Sequence, residues 1–260
     1  MHVWRLAACA LLLSSTARPA LFSHHSGEGT SRRGPAITLR KRLHVNPLIT
    51  DPDTLEVEFG GAISENGGDT LPAAIHYTPE GHTIWWGRTE YAVSFDSLNY
   101  TDGVRHFGDR ATVTATSVIH DGAKLDLAFA PVASFLLRGD EGMRFGATLI
   151  ARYDSGRHSG GVTVSWTGAT APSATNPAGT FDLGLGYGYA LGKITPHLNC
   201  VWERSTGVER QISIFEGAEY QIIDPLAIDF TVQHISVWGG ARDTQYVIGM
   251  TVSTPRLHRH

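Results

Sequence analysis

The charged residues of this chain recur at alternate positions between apolar ones. Glu56 and Glu58 are interleaved with Leu55, Val57 and Phe59, and Lys124 and Asp126 with Leu125, Leu127 and Phe129. Arg88 and Glu90 lead into Tyr91, Val93 and Phe95, while Arg152, Asp182, Glu203 and Asp229 sit in similar runs farther along. Alternation places such charges on one face of an extended strand and the apolar residues on the other. If the apolar parity meets lipid, then Glu56, Glu58, Arg88, Glu90, Lys124, Asp126, Arg152, Asp182, Glu203 and Asp229 line an interior. The seven acids against three bases in that set predict a mild preference for cations in any conduit there. The same set would serve equally as structural ion pairs filling a narrow lumen.

Other chemistry is thin. The 13 histidines include His2 in the leader and His24, His25, His258 and His260 near the ends. No H-E-x-x-H or H-x-E with C-x-x-C pattern is present, so neither a metal nor another cofactor is expected. Gly184, Gly186 and Gly188 have the wrong spacing for a dinucleotide fingerprint and no helix follows them. Hydrolysis by a barrel would need Ser, His and an acid at one rim. Ser94 and His106 flank one connection without a third partner, whereas His234 and Ser236 share one face of a strand near the expected outer rim. That pair resembles the His-x-Ser motif of the lipid A deacylase barrels, although Val237 stands where Asn usually follows. Asp243 is the nearest guess for an acid. The chain is expected not to be an enzyme.

These residues need a scaffold of strands. Met1–Arg5 and the apolar Leu6–Leu13, followed by Ser15-Thr16-Ala17, read as an export signal over residues 1–17. Residues 18–52 carry Arg32-Arg33 and Arg40-Lys41-Arg42 among Ser, Gly and Pro, which predicts a flexible basic periplasmic arm. Over the barrel, residues 53–253, the dominant period is two, with about twelve strands near 54–62, 71–78, 82–95, 108–119, 122–134, 144–154, 158–167, 180–191, 193–204, 209–221, 224–235 and 244–253. Short turns such as His120-Asp121-Gly122 and Asp154-Ser155-Gly156-Arg157 mostly alternate with longer connections such as Asp96–Gly108 and Gly168–Gly179. An up-and-down barrel in the outer membrane sorts its connections this way, with both ends of the chain in the periplasm when the strand count is even. Gln211–Tyr220 shifts parity between Ile214 and Phe215, which gives the strand count a margin of about two. Residues 254–260 form a polar tail, and the last strand lacks a terminal aromatic residue, which leaves Tyr246 as the aromatic nearest the end of the barrel.

Composition agrees with that architecture. Of 260 residues, 18% are charged and 29 are Gly, which fits strands with one face toward lipid. The net charge of −4 argues against a nucleic-acid partner. No stretch after the leader is long and apolar enough for a transmembrane helix.

Several segments resemble the outer-membrane transporter-like barrels named after a putative MetA pathway of phenol degradation. They are Thr54–Gly60, Gly67–Pro72 leading to Ile75-His76-Tyr77, Pro196–Asn199 and Gly217–Tyr220. The resemblance implies a barrel assigned to the passage of small, aromatic or apolar compounds, and it brings no catalytic residues. Together these readings predict an all-β protein: an antiparallel up-and-down transmembrane β-barrel of about 12 strands. It would be exported to the bacterial outer membrane, where its partners would be outer-membrane lipid, the barrel-assembly machinery and small-molecule solutes. The function expected is a channel or transporter-like porin for passive passage of small solutes; the alternative is a non-conducting barrel or exported β protein whose outer loops bind an envelope component or partner, with an envelope lipid-modifying enzyme a distant third.

Overall fold

The computed structural model describes residues 49–260 except 66–68, 81–87, 102–103, 107–109, 137–141, 173–176, 241, 256 and 258–260. The leader, most of the arm, Trp85, Trp86 and Phe107 therefore lie outside the described residues. All the regular elements described are strands: β1 (Thr54–Ser64), β2 (Asp69–Thr78), β3 (Thr89–Thr101), β4 (Val104–His106), β5 (Arg110–Asp121), β6 (Leu125–Leu136), β7 (Met143–Ser155), β8 (His158–Ala169), β9 (Gly179–Tyr189), β10 (Ile194–Ser205), β11 (Gln211–Ile223), β12 (Leu226–Val237) and β13 (Arg242–Ser253).

Each strand pairs antiparallel with its neighbours in sequence, β3 pairing onward with β5. The ring closes where β1 meets β13, from Glu56 opposite Ser253 to Ser64 opposite Gln245. Twelve strands thus form the wall, and closure leaves none of these twelve described strands with an open edge along the wall. The thirteenth, β4, pairs only with the far end of β3. Most wall strands run ten residues or more, the length needed to cross a bilayer at a tilt.

Alternation decides which face is which. In β7, Met143, Phe145, Leu149 and Tyr153 are exposed, whereas Thr148 and Ile150 between them are buried. The same holds in β8, where Val162, Val164 and Trp166 point out and Thr163 and Ser165 point in. The outer surface is therefore apolar and the inner one mostly polar, which is the inside-out arrangement of a transmembrane barrel. Outward aromatic residues gather at two levels. Tyr153, Tyr187 and Tyr220 lie toward the ends joined by short turns, and Tyr77 and Tyr91 lie at the same end, where residues 79–88 join β2 to β3. Phe95, Phe135, Phe145, Trp166, Phe181, Trp202 and Tyr246 lie toward the opposite ends. There Phe145 packs edge-on against Trp166 with centroids 6.2 Å apart, and Phe181 against Trp202 at 6.0 Å. Aromatic rings at two levels, Tyr and Trp among them with a polar tip, match the two membrane–water interfaces.

The turn at Gly156 has φ 62° and the one at Gly192 has φ 65°, a backbone region open to Gly at little cost. Three local details differ from the sequence reading. β3 starts at Thr89 rather than near residue 82. The span Asp96–Gly108, expected as a loop, carries β3 on to Thr101 and returns through β4, because cross-strand pairing satisfies its backbone groups beyond the rim. Finally, β11 keeps one register with β10 from Gln211 to Tyr220. The parity change at Phe215 is an apolar side chain pointing inward, 4% exposed, and not a bulge; the register shift lies at Gln221/Ile223.

Candidate lumen lining

The sequence-derived residues fall into two groups by position. Glu56, Glu58, Glu90, Asp126, Arg152, Asp182, Glu203 and Asp229 all lie within strands, on the parity of the buried inner residues. Arg88 and Lys124 lie just before β3 and β6, at the end of the barrel that carries the short turns. Arg88 binds Asp121 at 3.0 Å with both side chains substantially exposed, and Lys124 is exposed in its turn. Chain position separates the two groups, because parity persists beyond a strand's last ladder bond while enclosure does not.

Three constellations organise the inner face. The most buried joins β1, β2 and β3. His76 lies between two carboxylates, with Nδ1 3.1 Å from Glu90 Oε1 and Nε2 3.5 Å from Glu58 Oε1, and none of the three side chains exceeds 7% exposure. A buried carboxylate is tolerated only with such partners, since desolvation otherwise costs several kcal/mol by order of magnitude (about 3–5 kcal/mol when one partner is removed). The register sets the group: Glu56 stands opposite His76, and His76 opposite Ala92, so Glu58 and Glu90 reach the imidazole diagonally.

A second group lies at the same end on β6 and β7. Arg152 Nε is 2.7 Å from Asp154 Oδ2, and Asp126 stands directly opposite Arg152 in register. The third lies toward the outer end, between β7 and β10. Arg144 donates to the hydroxyls of Thr167 and Thr180 at 2.8 Å each and to the Pro177 carbonyl at 3.2 Å. Thr180 in turn bonds Ser205 at 2.8 Å. Asp182 and Glu203 stand directly opposite each other on neighbouring strands, so two acids share one level of the interior. Asp229 leans over Gly249, where a Cβ would occupy the place of its Oδ2. The Gly at that position gives the carboxylate its room.

Sequence reasoning missed Arg144, His76, His197, Asn199 and Glu219, all inward. The signal was available for Arg144, eight residues before Arg152 and so of the same parity. Asn199 and His197 carry no such cue, because neutral polar residues are common on either face of a strand. His197 Nε2 lies 3.1 Å from Thr231 Oγ1 within the buried interior.

The rim pair faces the other way. His234 and Ser236 are on the outward, exposed side of β12, and His234 Nε2 lies 3.1 Å from Glu216 Oε1 of β11. Its other ring nitrogen lies 3.5 Å from Thr244 Oγ1. Asp243, the sequence-derived guess for the acid, is on the inner parity and accepts from Ser64 Oγ at 2.8 Å and from Gln245 Nε2 at 3.1 Å. The sheet itself separates it from His234, so the carboxylate at His234 is Glu216. Among the described residues no group of three or more His, Cys, Asp or Glu is arranged to hold a metal ion.

No protein-family model matches the chain, and no curated protein matches it in sequence. Solved structures do resemble it. A KdgM porin superposes with a TM-score of 0.59 at 10% identity, covering 77% of this chain and 99% of the porin. A KdgM porin in complex with disordered oligogalacturonate gives 0.59 at 11% identity over the same shares. The NanC porin gives 0.56 at 8% identity, over 75% of this chain and 98% of its own. What is shared is the barrel. The match spans nearly the whole of each porin, so the similarity concerns the complete closed wall.

Proposed function

We propose that the chain is an outer-membrane channel that passes small polar solutes, with a preference for cations. The observation that carries this reading is the opposed pair Asp182 and Glu203 on the inner face, with the further inward acids Glu56, Glu58, Glu90, Asp126, Glu219 and Asp229 against few inward arginines. Acids on an inner wall attract cations and their hydrated sphere, while an apolar outer wall holds the barrel in lipid. The porin-like barrel supports the same reading at the level of fold. Passage requires no cofactor. The leader over residues 1–17 would direct export, and the barrel-assembly machinery would insert the wall. The resemblance to the MetA-pathway barrels belongs to this proposal as its finer form, a transporter-like porin for small organic compounds.

Planar bilayers test it. Purified protein in a salt gradient should show a reversal potential of the sign for cation preference, and Asp182→Asn combined with Glu203→Gln should move that potential toward zero. Absence of conductance from a folded barrel, or a potential indifferent to both substitutions, would refute the assignment.

A further inference from the structure

The register at the outer end of β10–β12 opposes two arginines. Glu203 of β10 pairs with Gln211 of β11, so the next residues outward, Arg204 and Arg210, stand across from each other. A tight turn holds them there, with Val208 N–H on the Ser205 carbonyl at 3.2 Å. On its other side Arg210 pairs with Trp238, whose N–H donates to the Arg210 carbonyl at 2.8 Å. Arg204, Arg210 and Trp238 therefore form one row over three adjacent strands. Their parity is the outward one of Ile212 and Ser236, and all three side chains are exposed, Trp238 to 70%.

Like charges directly opposite each other on neighbouring strands destabilise a sheet. Among the described residues neither guanidinium has a hydrogen bond or a carboxylate partner to offset that repulsion. The nearby outward carboxylates are committed elsewhere. Glu216 lies 3.1 Å from His234 Nε2, and Glu65 accepts from the Tyr246 hydroxyl at 3.1 Å. Glu209, beside Arg210 in the chain, falls on the other parity. One row lower, Arg242 adds a third cation opposite Ser236.

Depth decides what kind of anion fits. Arg204 lies two residues beyond Trp202, whose ring packs on Phe181 at the outer aromatic level. Two residues at roughly 3.3 Å each and a tilt of about 40° lift it about 5 Å above that level, into the polar layer about 5–7 Å thick that covers the hydrocarbon. An exposed indole belongs at the same headgroup level. Below the row, Ile212 and Ile214 continue the apolar outer face toward the membrane interior. A molecule that meets both regions carries anionic oxygens above and acyl chains below. The guanidinium fork matches phosphate oxygens bidentately. In the outer leaflet of a bacterial outer membrane the molecules with this build are phosphorylated glycolipids.

We propose that Arg204, Arg210 and Trp238 bind the phosphate-bearing headgroup of an outer-leaflet glycolipid. The two guanidiniums hold one phosphate between them, its charge cancels their repulsion, and the acyl chains lie along Ile212 and Ile214. This goes beyond solute passage: the site is on the outer surface of the wall, and its test does not depend on conductance.

Native mass spectrometry of the folded barrel in detergent, titrated with bisphosphorylated lipid A, reads the adduct; folding of each variant is checked by its shift on unheated gels. Arg204→Gln with Arg210→Gln should weaken binding by about ten- to a hundredfold, the factor for losing charge-assisted hydrogen bonds to phosphate. Arg157→Gln, in an exposed short turn at the opposite end of the barrel, should leave it unchanged. Lipid A stripped of both phosphates should bind wild type as weakly as the intact lipid binds the double variant. Without lipid the double variant should unfold at no lower temperature than wild type, since it has lost a like-charge pair; added lipid A should raise only wild type. Equal binding by wild type and the double variant, or an equal loss in Arg157→Gln, would overturn the site. A lower unfolding temperature for the double variant would show the pair already neutralised by the protein and would overturn it too. Equal binding of the stripped lipid would overturn the phosphate contact. Competition by inorganic phosphate or phosphatidylglycerol at equal concentration would overturn the glycolipid as occupant.

Discussion

Leu149 gives the most direct test of which face meets lipid. It is the seventh residue of the 13-residue β7, is 55% exposed, and stands between Phe129 and Val164 of the neighbouring strands. At roughly 3.3 Å per residue and a tilt of about 40°, β7 rises about 33 Å, which places Leu149 near the bilayer midplane. Tyr153, four residues on and also outward, then lies about 10 Å nearer the interface. Arginine on the lipid face costs about 2–4 kcal/mol at the midplane and about 0–1 kcal/mol near an interface. Leu149→Arg should therefore lower the folding equilibrium by about two orders of magnitude, whereas Tyr153→Arg should change it by less than about tenfold. Urea titration of folding into phosphatidylcholine vesicles, followed by tryptophan fluorescence, reads both. Equal costs at the two positions, or no cost at Leu149, would refute the outward assignment of this parity and the depth deduced from it.

Two further outcomes follow from the geometry. Gly249→Ala places a methyl group where the Asp229 carboxylate rests and should destabilise the barrel by about 1–3 kcal/mol in the same titration. Adding Asp229→Ala should recover part of that loss, and strictly additive effects would show that the two side chains do not compete for space. On the outer surface, His234→Phe leaves Glu216 facing lipid without its partner and should destabilise the fold. The double substitution Glu216→Val with His234→Phe should be at least as stable as wild type; if it is weaker than the single variant, water or another polar group covers this pair.

Much of the scaffold was legible in the chain. The alternation through Phe145–Tyr153 and Phe181–Tyr189 assigns those strands and their faces correctly, because a strand with lipid on one side and polar groups on the other has only one pattern available. Short turns at Gly156 and Gly192 are equally clear, since few residues fit their backbone. Boundaries were less so. The continuation of β3 into a hairpin with β4 carries no periodic apolar signal, because no lipid is there to demand one. Phe215 misled for the opposite reason: an apolar residue on the inner parity imitates a shift of register.

The candidate site divides along the same line. Parity alone placed Glu58, Glu90, Asp182 and Glu203 on one side of the wall, but parity cannot say which of them meet. Glu58 and Glu90 converge on His76 only because β1, β2 and β3 are adjacent at a particular register, and Asp182 faces Glu203 for the same reason. His234 and Ser236 were correctly grouped on one face, yet their acid came from Glu216 on the preceding strand, and the expected Asp243 lies on the far side of the sheet.

By itself the sequence determined a closed wall of about twelve strands with an apolar exterior, since side-chain direction in a strand is a local property with a period of two. Only the tertiary structure decided what occupies the interior. Ile49 is 69 residues from Val118 and 101 from Ile150 along the chain, and no local pattern marks an irregular segment for burial. Pairing of β3 with β5 sets Glu90, which accepts from Thr50 N–H, beside the strands whose Val118, Ala128, Ala130 and Ile150 pack with Ile49, so this packing exists only once those strands are assembled.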